Sequence, residues 1–271
     1  MSNLHGAQVV LLEGRMPSEL ANLVRRHGGA PRCVPAVREQ PLEMSDQISA
    51  FIDDVCARAV PVVVCLTGVG VKALFQKAED LGRRAELLDA LRSVTVVCRG
   101  HKPLAVLRAH GIPVAHSAPD PYTTRELLQV MEGLDLNATA VAVLHYGERN
   151  AALTEALQAR GAYVQDVLLY QWLLPEDLRD LRHLVDDLIC GRVDAIAFTS
   201  QIQIRHLFQI ASESDKTSKL IDALNTTTIV ASVGPVCTAT LQDMGVTPDV
   251  EPKHPKMGPM IGALADVIHP A

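Results

Sequence analysis

Glycines at positions 68, 70, 100, 147 and 234 stand where short apolar runs give way to helical patterns. A glycine there lets backbone approach a ligand closely. A helix start adds free amide N–H groups and the positive end of its dipole. Arg15, Arg99, Lys102 and Arg149 lie in or beside these loops and can add charge-assisted hydrogen bonds. Thr199, Ser200 and Thr238 add hydroxyls. Such loops bind an anionic small molecule without a dense basic patch. Two plainer readings stay open: the cations also suit a solvated surface, and the hydroxyls also suit helix caps.

Other chemistries fit less well. Gly68-x-Gly70-x-x-Ala73 resembles a dinucleotide fingerprint, whose next strand should end in Asp or Glu to hold a ribose. That strand ends in Cys98-Arg99, and the equivalent loop of the second half, 200–203, has no glycine. A tight turn accounts for the pattern. His101, His145, His183, His206 and His254 lack metal-ligand spacing and read mostly as surface residues, with His101 and His254 on loops of interest. The cysteines are scattered with no C-x-x-C pair, which argues against a zinc site or redox dithiol and suits a reducing cytoplasm. Cys65 and Cys98 lie in apolar runs and read as small buried hydrophobes. Glu13 and Glu148 flank glycines, but no carboxylate pair with an enforced separation is visible.

The elements that must position these loops repeat. Gly14, Leu20, Val24 and Gly28 recur as Gly147, Leu153, Leu157 and Gly161, a spacing of 133 (161 minus 28). Asp53-Asp54 recurs as Asp186-Asp187, and Gly100, Leu107 and Gly111 recur one residue out of register as Gly234, Leu241 and Gly245. A match over whole halves implies two similar units, with a ligand cleft expected between them. Apolar runs at 9–12, 62–66, 94–98, 141–144, 195–198 and 228–232 read as continuous buried strands. Helical patterns fall at 17–27, 43–58, 71–81, 103–110, 151–160, 175–190, 202–210, 237–244 and 259–268, and Thr123 or Thr124 can cap a helix running to Met131. The polar stretch 212–219 reads as a solvated loop. The fold class is α/β, two similar parallel-sheet domains.

At 271 residues with 48% hydrophobic content the chain can fill two cores, and 3% aromatics means Leu, Val, Ala and Ile must fill them. A net charge of −6 without a long basic tract argues against nucleic acid. No signal-peptide pattern opens the chain, and no apolar run reaches the roughly 20 residues needed to span a bilayer.

Taken in order, the loops resemble those of the uroporphyrinogen-III synthase family. They are Leu66-Thr67-Gly68-Val69-Gly70-Val71, Cys98-Arg99-Gly100, Tyr146-Gly147-Glu148-Arg149-Asn150, Tyr170-Gln171, Phe198-Thr199-Ser200 and Val233-Gly234-Pro235-Val236. The resemblance implies a discontinuous first domain, 1–35 with 173–271, and a second domain, 39–164. Two antiparallel linker strands, 32–38 and 165–174, would join them. It implies a cytoplasmic, monomeric, cofactor-free lyase of tetrapyrrole, porphyrin and heme biosynthesis. Its substrate would be hydroxymethylbilane, cyclised to uroporphyrinogen III with inversion of the last ring. Tyr170 matches the family's tyrosine and could donate a proton to the departing hydroxyl; interdomain packing is the other role open to it. The loops assign substrate binding to Arg15, Thr67, Gly68, Gly70, Arg99, Gly100, His101, Lys102, Gly147, Arg149, Thr199, Ser200, Gly234, Pro235, Val236 and Thr238, and no metal. Members often carry Thr or Ser straight after the Gly-Pro pair, where Val236-Cys237 stand here, and many carry Thr where this chain has His101-Lys102-Pro103. These departures keep a second reading in view: a non-catalytic, synthase-like module that binds a tetrapyrrole or other anion for regulation.

Overall fold

The computed structural model describes residues 3–14, 17–41, 45–145 and 147–268. Arg15, one of the candidate cations, lies outside them, as do Tyr146 and Glu43, the expected first residue of the second helix. The chain forms two compact units: Met1–Arg38 with Leu173–Ala271, and Glu39–Trp172.

The first unit opens with β1 (Gln8–Leu11), α1 (Pro17–Arg26) and β2 (Ala30–Cys33). The chain leaves it through β3 (Arg38–Pro41). The second unit follows as α2 (Ser45–Cys56), β4 (Val62–Cys65), α3 (Gly68–Asp80), α4 (Arg84–Arg92), β5 (Thr95–Cys98) and α5 (His101–Ala109). It continues with β6 (His116–Ser117), α6 (Thr124–Val130), β7 (Ala140–Leu144), α7 (Ala151–Ala159) and β8 (Tyr163–Val167). The chain returns through β9 (Tyr170–Leu173). The first unit is then completed by α8 (Arg179–Ile189), β10 (Ala195–Phe198), α9 (Gln201–Ser212), α10 (Thr217–Thr226), β11 (Ile229–Ser232), α11 (Pro235–Asp243) and α12 (Met257–Val267).

Each unit is a parallel sheet covered on both faces. The first sheet has the order β11-β10-β1-β2 and the second β6-β5-β4-β7-β8. Strand alternation assigns side chains to faces. In the first unit Val10, Ile196 and Phe198 pack under residues of α8, α9, α10 and α11, whereas Val9, Leu11, Ala195 and Ala197 pack under α1 and α12. In the second, Val63 and Cys65 face α2 to α5, and Val62 and Val64 face α6 and α7. Cys65 and Cys98 belong to that first face, and burial pushes the Cys98 thiol up to about 12, so both behave as apolar filling.

The repeat is legible in the backbone. Gly28 (φ 75°) ends α1 and Gly161 (φ 84°) ends α7, both left-handed. Gly100 (φ 169°) and Gly234 (φ 162°) are extended N-caps of α5 and α11.

Several elements differ from the sequence expectation. The antiparallel ribbon is β3 with β9, shorter than the expected pairing of 32–38 with 165–174 and with its first strand starting only at Arg38. Arg32 and Cys33 lie instead on edge strand β2, and Gln165 to Val167 on edge strand β8. Edge strands keep one row of backbone groups unpaired, so polar side chains there resemble a linker in sequence. Helix α3 begins at Gly68 because the Thr67 hydroxyl accepts from Gly70 N–H at 3.0 Å. The stretch read as a loop over 212–219 is only a turn, and α10 starts at Thr217 with Leu220, Ala223 and Leu224 buried. Helix α4 was not expected; Leu87 and Leu91, four apart, bury its one apolar face.

Candidate functional site

In an open parallel sheet, ligands meet the carboxyl ends of strands where the connections diverge. In the second unit that point lies between β4 and β7, which puts the loop 66–70 beside the loop 145–150. A Cβ on Gly70 would sit 3.6 Å from the His145 carbonyl oxygen. One on Gly68 would sit 2.9 Å from the Lys102 carbonyl oxygen, so the start of α5 closes against the same loop. His101 and Lys102 are exposed on that first helical turn, and the His101 ring meets Tyr122 edge-on at 5.2 Å. Gly100 itself lies under Tyr122, whose ring would be 2.7 Å from an added Cβ. Arg99 is half-buried just before it.

Residues 145 and 147–150 are tied down at several points. Gly147 is left-handed (φ 69°) and an added Cβ would lie 2.3 Å from the Trp172 ring. Asn150 caps α7, its Oδ1 accepting from Leu153 N–H at 3.1 Å. The Asn150 N–H donates to His145 Nδ1 at 3.1 Å, so Nδ1 is bare and Nε2 carries the proton. That Nε2–H donates to Asp166 Oδ1 at 2.6 Å. Thr154 Oγ1 donates to the same oxygen at 3.0 Å, and Arg149 Nε–H donates to Asp166 Oδ2. His145 is 0% exposed, which overturns its expected surface position; His206, 7% exposed and bonded through Nδ1 to the Ala36 carbonyl at 2.7 Å, overturns a second.

In the first unit the divergence lies between β1 and β10. Thr199 follows β10, and its hydroxyl donates to Glu13 Oε2 at 2.7 Å across that point. Gln203, 2% exposed, donates to the same hydroxyl at 2.9 Å, while its Oε1 accepts from Thr199 N–H at 2.8 Å and Ser200 N–H at 3.3 Å. On the next loop an added Cβ at Gly234 would lie 2.6 Å from Pro255 Cβ. Pro235 and Val236 are exposed on the first turn of α11. The Thr238 hydroxyl bonds to Ser232 Oγ at 2.6 Å and to Glu251. The glycines at 68, 100, 147 and 234 therefore let protein segments pack on one another, a role the sequence expectation of ligand approach had not separated. Tyr170 is 5% exposed within the second unit's core, its ring edge-on to Trp172 at 6.4 Å.

Residues 18–262 match the family model described as uroporphyrinogen-III synthase HemD. The chain belongs to the uroporphyrinogen-III synthase family. The uncharacterized protein YjjA of Bacillus subtilis (strain 168) is 31% identical over 262 residues, 97% of this chain and 96% of that one. A mutant uroporphyrinogen III synthase of the extremely thermophilic bacterium Thermus thermophilus is similar at a TM-score of 0.78 and 26% identity, over 96% of this chain and 98% of its own. The uroporphyrinogen-III synthetase of Helicobacter pylori 26695, at 14% identity and a TM-score of 0.55 over 96% of this chain and 99% of its own, shares the fold. Among the described residues no helix is long and apolar enough to cross a membrane.

For this member of the uroporphyrinogen-III synthase family, the buried imidazole and its carboxylate set a pH dependence. Burial lowers the His145 pKa below its ordinary value, against the opposing pull of Asp166. Burial alone would raise Asp166, but the hydrogen bonds from His145, Thr154 and Arg149 outweigh it and hold the carboxyl low. A histidine with a depressed pKa binds its proton more readily in the unfolded chain. Its contribution is complete above the unfolded pKa of about 6.5 and is lost as pH falls towards the folded value, by at most ~1.4 kcal/mol per pH unit. The Asp166 contribution survives that range and is lost only below about 3.8, the ordinary carboxyl value. Urea midpoints should fall between pH 7.5 and 5.5, and His145→Asn should flatten that fall. An equal slope in both proteins would assign the effect to other histidines.

Signals for the overlooked residues were slight. Asp166 is the one carboxylate in the stretch 163–167, and His145 directly follows the run 141–144. Gln203 stands where a capping box needs Gln or Glu, three residues after Ser200.

Proposed function

We propose that this chain is an active uroporphyrinogen-III synthase that cyclises hydroxymethylbilane to uroporphyrinogen III, inverting the last ring and releasing water. Arg149 carries the reading: it is exposed, held at Nε by Asp166, and makes no other hydrogen bond among the described residues. Its two terminal nitrogens suit a carboxylate, and the substrate carries eight. Val69 and Val236, 39% and 46% exposed on the first turns of α3 and α11, offer apolar contact to pyrrole rings. A ligand with apolar rings and carboxylate arms matches both features.

Departure of the hydroxyl leaves an electron-poor azafulvene. Attack on it through the substituted carbon of the last pyrrole forms a spiro intermediate. Re-fragmentation and closure then complete the inversion. The protein's main task is to hold the chain folded, since reacting ends kept together behave as an effectively unimolecular system. The helix-start loops 67–70, 99–102, 147–149, 199–200 and 234–238 are the candidates for taking the carboxylates. No cofactor is required, and the enzyme works as a monomer in the cytoplasm, which the scattered free thiols suit.

A coupled assay with freshly made hydroxymethylbilane, resolving type III from type I isomer, tests this reading. Type III should dominate; type I alone, as without protein, would leave the binding-module reading. Tyr170→Phe removes one donor from a core-packed ring. Its loss should stay under about tenfold, near one ordinary hydrogen bond, and type III should still form. Abolished turnover in a folded Tyr170→Phe protein would instead make that hydroxyl the acid.

A further inference from the structure

We infer that His145 and Asp166 are positioning residues that hold the Arg149 guanidinium as a pre-aimed carboxylate clamp; the inference rests on the proposed tetrapyrrole chemistry. A guanidinium is planar and donates in a fixed fork. Fixing Nε at Asp166 restrains that plane and leaves the two terminal nitrogens available, so that a carboxylate can accept from both. The Arg149 side chain is 48% exposed, while the Asp166 side chain is 20% exposed.

Asp166 cannot swing away without loss. One oxygen accepts from His145 and Thr154, and the other accepts from Arg149. His145 in turn is fully buried and locked on its other nitrogen by the Asn150 N–H. The relay therefore runs from the backbone at the start of α7, through imidazole and carboxylate, to an exposed cation on the same loop. A cation needed only for its charge requires none of this. Asp166 also has a cost, because an arginine already facing a carboxylate attracts a second one less. His145 and Thr154 reduce that cost by drawing on the same carboxylate through their own donors. Asp166 and Arg149 are the charged groups that act on His145, and its neutral Nε2–H form keeps the relay intact near neutrality.

The test is a double-mutant cycle on the full chain. Asp166→Asn and Arg149→Met should each raise KM for hydroxymethylbilane by about 10- to 100-fold, the range of a charge-assisted hydrogen bond, with kcat little changed. The double variant should be no worse than Arg149→Met alone, because Asp166 acts through Arg149. Arg149→Lys keeps the charge, loses the fork and lies on the surface, so it should fold and still show the raised KM. His145→Asn should fall in the same cycle, and the activity of the parent should drop as pH falls far enough to protonate His145. Losses at Asp166 that add fully to those at Arg149, or a KM that stays at the parent value in Arg149→Lys, would overturn the inference. Binding of uroporphyrin III, followed through Trp172 fluorescence, keeps the two ideas separate. If the parent forms no type III isomer, the functional reading fails; equal uroporphyrin III affinity in all variants would then overturn the clamp as well.

Discussion

Gly147→Ala is expected to destabilise the second unit by about 2–5 kcal/mol, combining a left-handed backbone cost with overpacking. The residue sits at φ 69°, where an L side chain is strained, and its Cβ would land 2.3 Å from the Trp172 ring. Neither problem has an easy exit. The Trp172 N–H donates to the Gly147 carbonyl at 3.3 Å, so the ring and the loop cannot separate without losing that bond. Trp172 is the only tryptophan in the chain, so its fluorescence reports the damaged contact directly during urea unfolding. Combining Gly147→Ala with Trp172→Leu should recover the steric part and leave the backbone part. A single variant within about 0.5 kcal/mol of the parent, the range of an ordinary surface change, would show that the loop has another conformation open to it. The functional consequence follows from position: Gly147 lies between His145 and Arg149, so a shifted loop also misplaces the clamp.

Gly234→Val should lower turnover by about 100-fold, the scale of a 1 Å misplacement of a binding group. Its φ of 162° is extended backbone that any residue adopts, so the entire effect is steric. The obstacle is Pro255 Cβ, 2.6 Å from where the new Cβ would sit, in the segment leading into α12. To make room, the first turn of α11 must move, and with it the exposed Val236 and the amides behind Pro235. Pro255→Gly removes the obstructing atom and should restore part of the activity. Steady-state kinetics on the single and double variants check this. Parent-like turnover in Gly234→Val would remove this loop from the substrate site. If Tyr170→Phe then loses under about tenfold, near one hydrogen bond, the two results together would rank positioning above side-chain acid chemistry.

Features that depend on near neighbours are legible in the residues themselves. Uninterrupted apolar runs such as Val62–Cys65 and Ala195–Phe198 are buried strands because both sheet faces are covered. Gly28 and Gly161 end their helices because a left-handed residue is needed there. The doubled architecture follows from the same signals recurring 133 residues apart. The helix-start loops are legible for that reason.

Which distant segments those loops meet is set by packing in three dimensions. Gly147 needs to be small because of Trp172, and Gly234 because of Pro255. Thr199 meets Glu13, 186 positions away. Nothing in the residues around 32–33 or 165–167 distinguishes an edge strand from a linker, since the difference lies in whether a neighbour offers its backbone. His145 carries the same ambiguity in its clearest form. An imidazole after a strand is a surface residue or a buried hinge of a polar network according to whether a carboxylate is waiting. Asp166 comes within 2.6 Å of it only because β8 pairs in register with β7, a choice made by packing of the whole sheet.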